Sequence, residues 1–410
     1  LEHARGDYAF WLDADDRVDE GNRAKLADLF AGLRDEHAAY VVKCRCVPDR
    51  PGGSPTVVDH VRLFRLRADV RWSYRVHEQI LPALRRTGAD VRWSEATVDH
   101  VGYVDPALRR RKLDRDLRLL EMEHAANPDE PFVLFNLGSV AHELGRYEDA
   151  LKSLRRSLVR SHPRDSIVRK LYSLIAGCQR ELRQPVDALA TVRDGRSHYP
   201  DDAELLFLEG RLLMDAGDLA GAEAAFRRLL HDDTGEPAHF ASVDAGLRGA
   251  RARHALAGVL LAASRPGEAA QEWQRVVAEN PAFAAGWAGL GEVGLAVRDG
   301  KLVEESAANL HELGATEDAF ALRARFLLDS GDYAQARKVV ADGLDSHPRS
   351  VRLLVLMSYA FLREGVDDAA TERSLREVLA VAPEHPEARH NLDVLRQKRT
   401  AELVPHGALV

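Results

Sequence analysis

The sequence predicts an α/β segment followed by a longer all-α array of stacked helix pairs, and three observations carry that fold class. An apolar run, Tyr8-Ala9-Phe10-Trp11-Leu12, ends in a group of acids at Asp13, Asp15 and Asp16. Two runs rich in strand formers, Tyr40 to Val47 and Thr56 to Leu66, then flank the turn-forming stretch Asp49 to Pro55. From Pro131 onward, small residues recur at a spacing that only a helical repeat explains. The 410 residues suffice for two or three domains with sizeable cores.

The first run reads as a strand buried on both faces of a sheet. Side chains two apart on a strand point the same way, so Asp13 and Asp15 are expected to present their carboxylates together at its carboxyl edge. Two convergent carboxylates suit a hard cation, Mg²⁺ or Mn²⁺. The same acids could simply form a turn or cap the next helix. An EF-hand is excluded, because the loop lacks the glycine and the twelfth-position glutamate that Ca²⁺ requires.

After the acids, Asn22 to Glu36 reads as an amphipathic helix with Leu26, Leu29, Phe30 and Leu33 on one stripe. The strands Tyr40–Val47 and Thr56–Leu66 are expected to pair as a hairpin. A short helix over Gln79–Arg86 and β-rich runs over Val91–Trp93 and Ala96–Tyr103 follow. From Asp105-Pro106 the composition turns to charged helix, reaching about Ala126 with Leu113, Leu117 and Leu120 inward. The basic run Arg109 to Lys112 is balanced by Asp114, Asp116, Glu121 and Glu123, so it reads as a solvated face.

Bulk properties narrow the function classes. A net charge of −8 argues against a general nucleic-acid binder. No apolar run reaches the ~18 residues of a membrane span. Three cysteines, Cys44, Cys46 and Cys178, make no disulfide framework, which favours a reducing, cytoplasmic compartment. With no second ligand pair for a zinc site, Cys44 and Cys46 are expected to be structural. The chain opens at Leu1 and enters a strand almost at once, which reads as a beginning that is missing.

The segment Gly6-Asp7-Tyr8-Ala9-Phe10-Trp11-Leu12-Asp13-Ala14-Asp15-Asp16 closely resembles the metal-binding segment of family-2 glycosyltransferases of the GT-A fold. Arg62-Leu63-Phe64-Arg65, followed by Trp72 to Ile80 with its Val76-His77-Glu78, strengthens that resemblance. The resemblance implies the carboxyl-terminal half of a GT-A domain over residues 1–103 and a sugar transfer from a nucleotide-sugar, inverting rather than retaining. It implies Mn²⁺ or Mg²⁺ held by Asp13, Asp15 and His100, and donor contacts from Asp13, Asp15, Asp16, Arg62, Arg65 and His77. Glu78 is the candidate base, since inverting transfer needs a carboxylate to take the acceptor's proton. Glu78 could instead pair with Arg75 or cap the following helix, and His77 and His100 could be packed structural histidines. The acceptor implied is a peptide, a glycan or a lipid-linked glycan. Lacking the first strands and most of the nucleotide pocket, the chain alone is expected to be inactive.

Asn136-Leu137-Gly138, Gly145-Arg146-Tyr147, Ala150 and Leu154 resemble the tetratricopeptide (TPR) pattern, in which small residues let two helices approach closely. Small residues fall at Gly138, Ala176, Gly210, Ala257, Gly291, Ala324 and Ser358, in steps of 38, 34, 47, 34, 33 and 34. Each is followed 12 residues on by Ala150, Ala188, Ala222, Ala269, Val303, Ala336 and Ala370. The long step places an insertion near His231 to Asp244. Pro200, Pro281 and Pro348 mark the ends of second helices, with Pro163 and Pro383 one residue off register. The expectation is a helical linker over 104–130, an all-α TPR solenoid of about seven repeats over 131–399 with a capping helix from Pro386 to Lys398, and a tail over 400–410. A solenoid groove is a place for a protein partner. The asparagine ladder of some peptide-gripping arrays is missing, because Leu174, Leu208, Ala255, Gly289 and Leu322 follow Asn136.

Two functions from different classes follow. One is a metal-dependent glycosyltransferase with a TPR array for its acceptor or partner; the other is a non-catalytic TPR scaffold. Phosphotransfer or hydrolysis by the same acids is disfavoured by the lack of a P-loop and of a nucleophile after Asp15.

Overall fold

The structure is a computed structural model that describes residues 1–34, 37–48, 53–102, 106–163, 165–231 and 242–402. Part of the turn-rich loop (49–52), the expected domain end at Tyr103, most of the insertion (232–241) and the tail from 403 lie outside the described residues. The chain divides into two compact units, Leu1–Val259 and Leu260–Val410.

The first unit opens with strands β1 (Tyr8–Phe10) and β2 (Asp16–Arg17), helix α1 (Glu20–Ala31), strands β3 (Ala38–Cys46) and β4 (Thr56–Arg65), helix α2 (Leu81–Arg86) and strand β5 (Asp90–His100). The sheet order is β1-β4-β3-β5-β2, with β3 and β5 parallel and the other neighbours antiparallel. The predicted hairpin is β3–β4. The doubly buried strand is β3, whose Ala38, Ala39, Tyr40, Val41 and Val42 are all buried between two neighbours. The run Tyr8–Leu12 is therefore a correction: it forms only three residues of strand, half-buried, and pairs with β4 alone among the described residues, while Leu12 is exposed. Helix α1 begins at Asp19, whose carboxylate accepts from the Asn22 amide at 2.7 Å. It stops at Gly32, short of the expected Glu36, because glycine is a poor helix former and here closes the helix by donating to Asp28 and Leu29 carbonyls.

Helix α3 (Pro106–Ala126) leads into the repeats: α4 (Pro131–Glu143) with α5 (Tyr147–Arg160), α6 (Val168–Glu181) with α7 (Pro185–His198), and α8 (Ala203–Asp215) with α9 (Leu219–His231). Leu113, Leu117 and Leu120 of α3 face inward, packing with Val76, Val133 and Val140. In the first and third repeats the small residue of the first helix lies against the second helix: a Cβ built on Gly138 would lie 2.5 Å from Leu154 Cγ, and one on Gly210 would lie 2.6 Å from Phe226 Cζ. Larger residues there would force the helices apart.

The compact units do not part near residue 103, and two features tie the sheet to the repeats within the first unit. Tyr74 donates to Glu130 at 2.9 Å and its ring lies 4.7 Å from that of Phe132. The end of the insertion forms strand β6 (Ser242–Asp244), which pairs antiparallel with Thr56–Val58 of β4. A chain read as a loop between two repeats thus extends the sheet.

Helix α10 (Ala250–Ala262) spans the division between units. The second unit continues with α11 (Pro266–Glu279), α12 (Ala284–Val297), α13 (Gly300–Glu312), α14 (Thr316–Asp329), α15 (Tyr333–Ser346), α16 (Val351–Glu364), α17 (Asp368–Val381) and α18 (Pro386–Glu402). Ala269, Val303, Ala336 and Ala370 are buried on the second helices, as the spacing requires. A Cβ on Gly291 would run into Leu322 of the next repeat. Helices α7, α11 and α15 stop two residues before Pro200, Pro281 and Pro348. Among the described residues, no helix is long and apolar enough to cross a membrane.

Candidate functional site

Strand β1 ends early because the chain turns at the acids. The Trp11 amide bonds to the Arg62 carbonyl at 3.0 Å, and the Asp16 amide then bonds back to the Asp13 carbonyl at 3.1 Å. The Asp13 amide donates to Asp16 Oδ2 at 2.7 Å, which locks the turn from both ends. The carboxylates thus sit on a turn rather than two apart on a strand. This corrects the expected presentation: Asp13 and Asp15 reach the same neighbourhood, but Asp16 is its centre.

Asp16 enters β2 directly opposite His100 on β5, and the Val101 amide bonds to the Asp15 carbonyl at 3.1 Å. This register brings His100 Nδ1 to 3.1 Å from Asp16 Oδ1 and 3.5 Å from Asp15 Oδ1. A carboxylate only accepts, so Nδ1 is the nitrogen that donates here, which orients the ring. Arg62 completes the group: Nη1 lies 2.7 Å from Asp16 Oδ2, Nη2 3.7 Å from Asp13 Oδ2 and 3.5 Å from Cys44 Sγ, and the guanidinium sits 4.2 Å from the Trp11 ring centre.

Arg62 is 1% exposed, and its burial has a backbone cause. The β3–β4 register passes from Tyr40–Leu63 to Val41–Val61, leaving Arg62 as the extra residue of a β-bulge that turns it inward. Donor atoms of Asp16, Cys44 and His100 all lie within 4.8 Å of one another. Cys44 thus belongs to the group that sequence reading treated as structural only. The pairing that brings it there joins residues far apart in the chain and has no local signal.

His77 and Glu78 lie elsewhere. They line a cavity of about 380 Å³ with Trp11, Trp72, His60, Phe132, Phe135 and Asn136, between the sheet and the first repeats. Among the described residues, no hydrogen bond or ion pair joins Glu78 to the acids or to His100. Both structural alternatives for Glu78 are also unfilled: Arg75 pairs with Glu123 at 3.2 Å, and α2 starts after Ile80 without a side-chain cap. His77 has φ 55° and Tyr74 φ 70°, so these two residues are each held in left-handed backbone that costs free energy. Burial lowers the His77 pKa, favouring the neutral ring. Burial, aided by the Arg62 charge, lowers that of His60 to about 4. Arg65 stands opposite Tyr8 in the β1–β4 ladder, and its guanidinium lies 5.9 Å from the Tyr8 ring centre.

Comparison with known proteins concerns the helices. The tetratricopeptide repeat family matches residues 107–166 and 179–237, and covers none of the sheet segment before them. A tetratricopeptide repeat protein from Parabacteroides merdae superposes with TM-score 0.53 at 13% identity, over 65% of this chain and 98% of that one. Yeast Tom70 superposes with TM-score 0.51 at 11% identity, over 72% of this chain and 61% of that one. At such identities the likeness is one of fold. No curated protein matches the chain. The buried small-residue pairs, the family match and the superpositions agree: the chain carries an array of tetratricopeptide repeats.

Proposed function

We propose that this protein is a TPR scaffold that binds a polypeptide partner. The observation that carries the reading is the recurrence of buried small residues at both members of the helix pairs, from Gly138 and Ala150 to Ser358 and Ala370. It commits the apolar face of each helix pair to packing and leaves the other surfaces for recognition. A random peptide library displayed on phage and panned against the full chain tests it. Selected sequences should converge and bind saturably by calorimetry. A panel with no convergent sequence rejects the scaffold reading.

A second reading, metal-dependent sugar transfer from a nucleotide-sugar, is favoured by the convergence of Asp13, Asp15, Asp16, Arg62 and His100. Carboxylate and imidazole groups are present for a divalent cation: the side chains of Asp13 and Asp15 are 51% and 34% exposed, and the donor atoms that lie within 4.8 Å of one another are those of Asp16, Cys44 and His100. Carboxylate and imidazole suit Mn²⁺ or Mg²⁺. Such an ion supplies charge neutralisation for a departing diphosphate. In this reading Arg62 holds Asp16 in place, His100 is oriented through its Nδ1 proton, and Glu78 in the neighbouring cavity is the group that accepts an acceptor's proton. Mn²⁺-dependent binding of a nucleoside diphosphate by the full chain tests it. Asp15→Ala should abolish that binding, and undiminished binding in the variant contradicts the reading.

A further inference from the structure

Cys44 stands among the acids, yet neither functional reading uses it. It lies on β3 opposite Val98 of the parallel β5 ladder, and the next residue on its face, Cys46, stands opposite His100. The strand register therefore brings sulfur to the face of the sheet that carries the histidine. Cys44 is buried, and Arg62 Nη2 donates to its Sγ at 3.5 Å. The Cys46 thiol and burial push the Cys44 pKa up, while the Arg62 charge acts in the opposite direction.

Asp16 divides its two carboxylate oxygens between different partners. Oδ2 takes Arg62 Nη1 and the Asp13 amide, each at 2.7 Å, and Oδ1 faces His100 Nδ1 at 3.1 Å. One oxygen is thus held by the protein while the other is aimed at the imidazole, as outer partners commonly orient a ligating carboxylate. The donor atoms of Asp16, Cys44 and His100 form a triangle with no side longer than 4.8 Å. Zinc bonds of about 2.0–2.3 Å set tetrahedral ligand atoms roughly 3.3–3.8 Å apart. Small side-chain rotations close the triangle on one ion. Sulfur decides which ion, because a thiolate is a soft ligand that favours Zn²⁺ over Mn²⁺ or Mg²⁺, and imidazole and carboxylate serve Zn²⁺ equally well.

We propose that Asp16, Cys44 and His100 form a three-ligand site for Zn²⁺, with water in the fourth position. Binding releases the Cys44 proton to solvent and leaves a thiolate on the ion. Water reaches the group beside Asp15 and His100, whose side chains are 34% and 26% exposed. The ion would join the Asp13–Asp16 turn to β3 and β5. The proposal goes beyond both functional readings: it needs neither a polypeptide nor a nucleotide, and it shares only His100 with the cation set Asp13, Asp15 and His100.

The test titrates Zn²⁺ and Co²⁺ into the reduced full chain without nucleotide, using wild type, Cys44→Ser and Cys46→Ser. Cobalt in a tetrahedral site with sulfur gives visible bands and a near-ultraviolet thiolate-to-cobalt charge-transfer band. Expected are one equivalent of Co²⁺ showing both, its displacement by Zn²⁺, and no displacement by Mn²⁺ at the same concentration. Cys44→Ser should lose the charge-transfer band and bind Zn²⁺ at least about ten-fold more weakly, whereas Cys46→Ser should keep both. A charge-transfer band that survives in Cys44→Ser, or Zn²⁺ bound equally well by that variant, overturns the proposal. Zinc K-edge absorption of the wild-type protein decides the matter even if Cys44→Ser fails to fold. One sulfur at about 2.3 Å with nitrogen or oxygen neighbours supports the site, and bound zinc without sulfur, or no bound zinc, overturns it. Either outcome leaves the scaffold reading untouched.

Discussion

Asp16 and Arg62 are the residues whose roles sequence reading most misjudged. Asp13 and Asp15 stand out as acids after an apolar run, yet the buried member of the group is Asp16, with a side chain 0% exposed against Arg62 at 1%. Removing one partner of a fully buried pair strands the other charge. Asp16→Asn should therefore cost about 3–5 kcal/mol in urea unfolding of the full chain. Asp15→Asn, partly exposed and outside that pair, should cost no more than about 1 kcal/mol. Equal losses from the two changes would show that the buried pair has no special place in the fold. His60 gives a second prediction at this scale. Its pKa falls from the ordinary 6.5 to about 4 in the folded protein, so between those values only the unfolded chain takes up the proton. The stability involved is complete above about pH 6.5 and is lost as pH falls through about 4, amounting to up to about 3 kcal/mol. His60→Gln should flatten the pH–stability curve across that window; an unchanged slope would contradict the assignment. None of this was legible locally, because the bulge at Arg62 and the Asp16–His100 register are properties of strand pairing.

At the scale of elements, legibility followed periodicity. Helix pairs recur at a fixed spacing, and each recurrence tests the last, so the repeat register could be read from Gly138 and Ala150 onward. Isolated elements had no such check. The apolar run Tyr8–Leu12 reads as a covered strand by composition, but coverage depends on neighbours, and the covered strand is Ala38–Val42. The insertion was visible as an over-long step, while its strand at Ser242–Asp244 was not, because its partner lies in β4, nearly two hundred residues earlier. The register itself is open to a direct test. Ala222 and Ala336 are fully buried, and leucine at either should cost about 1–3 kcal/mol or more. Glu223→Gln keeps the side chain's size at an i,i+4 pair with Arg227 and should cost within about 0.5 kcal/mol. Comparable losses in thermal unfolding from the buried and the surface change would place the helices in another register.

At the scale of the molecule, the first unit joins a small sheet to the first three TPR helix pairs, and the acids and the cavity meet at Trp11. One face of this tryptophan carries Arg62, which holds Asp16, and the same side chain lines the cavity that contains Glu78 and Asn136. Binding of a polypeptide should be independent of metal, and Mn²⁺-dependent nucleotide binding should be sensitive to Asp15. The most direct measurement is calorimetric titration of a library-selected peptide into the full chain in the presence of a chelator, repeated with Mn²⁺ and a nucleoside diphosphate. The scaffold account predicts saturable binding of the same affinity in both conditions. No saturable binding of any selected peptide, with Mn²⁺-dependent nucleotide binding intact, would contradict it.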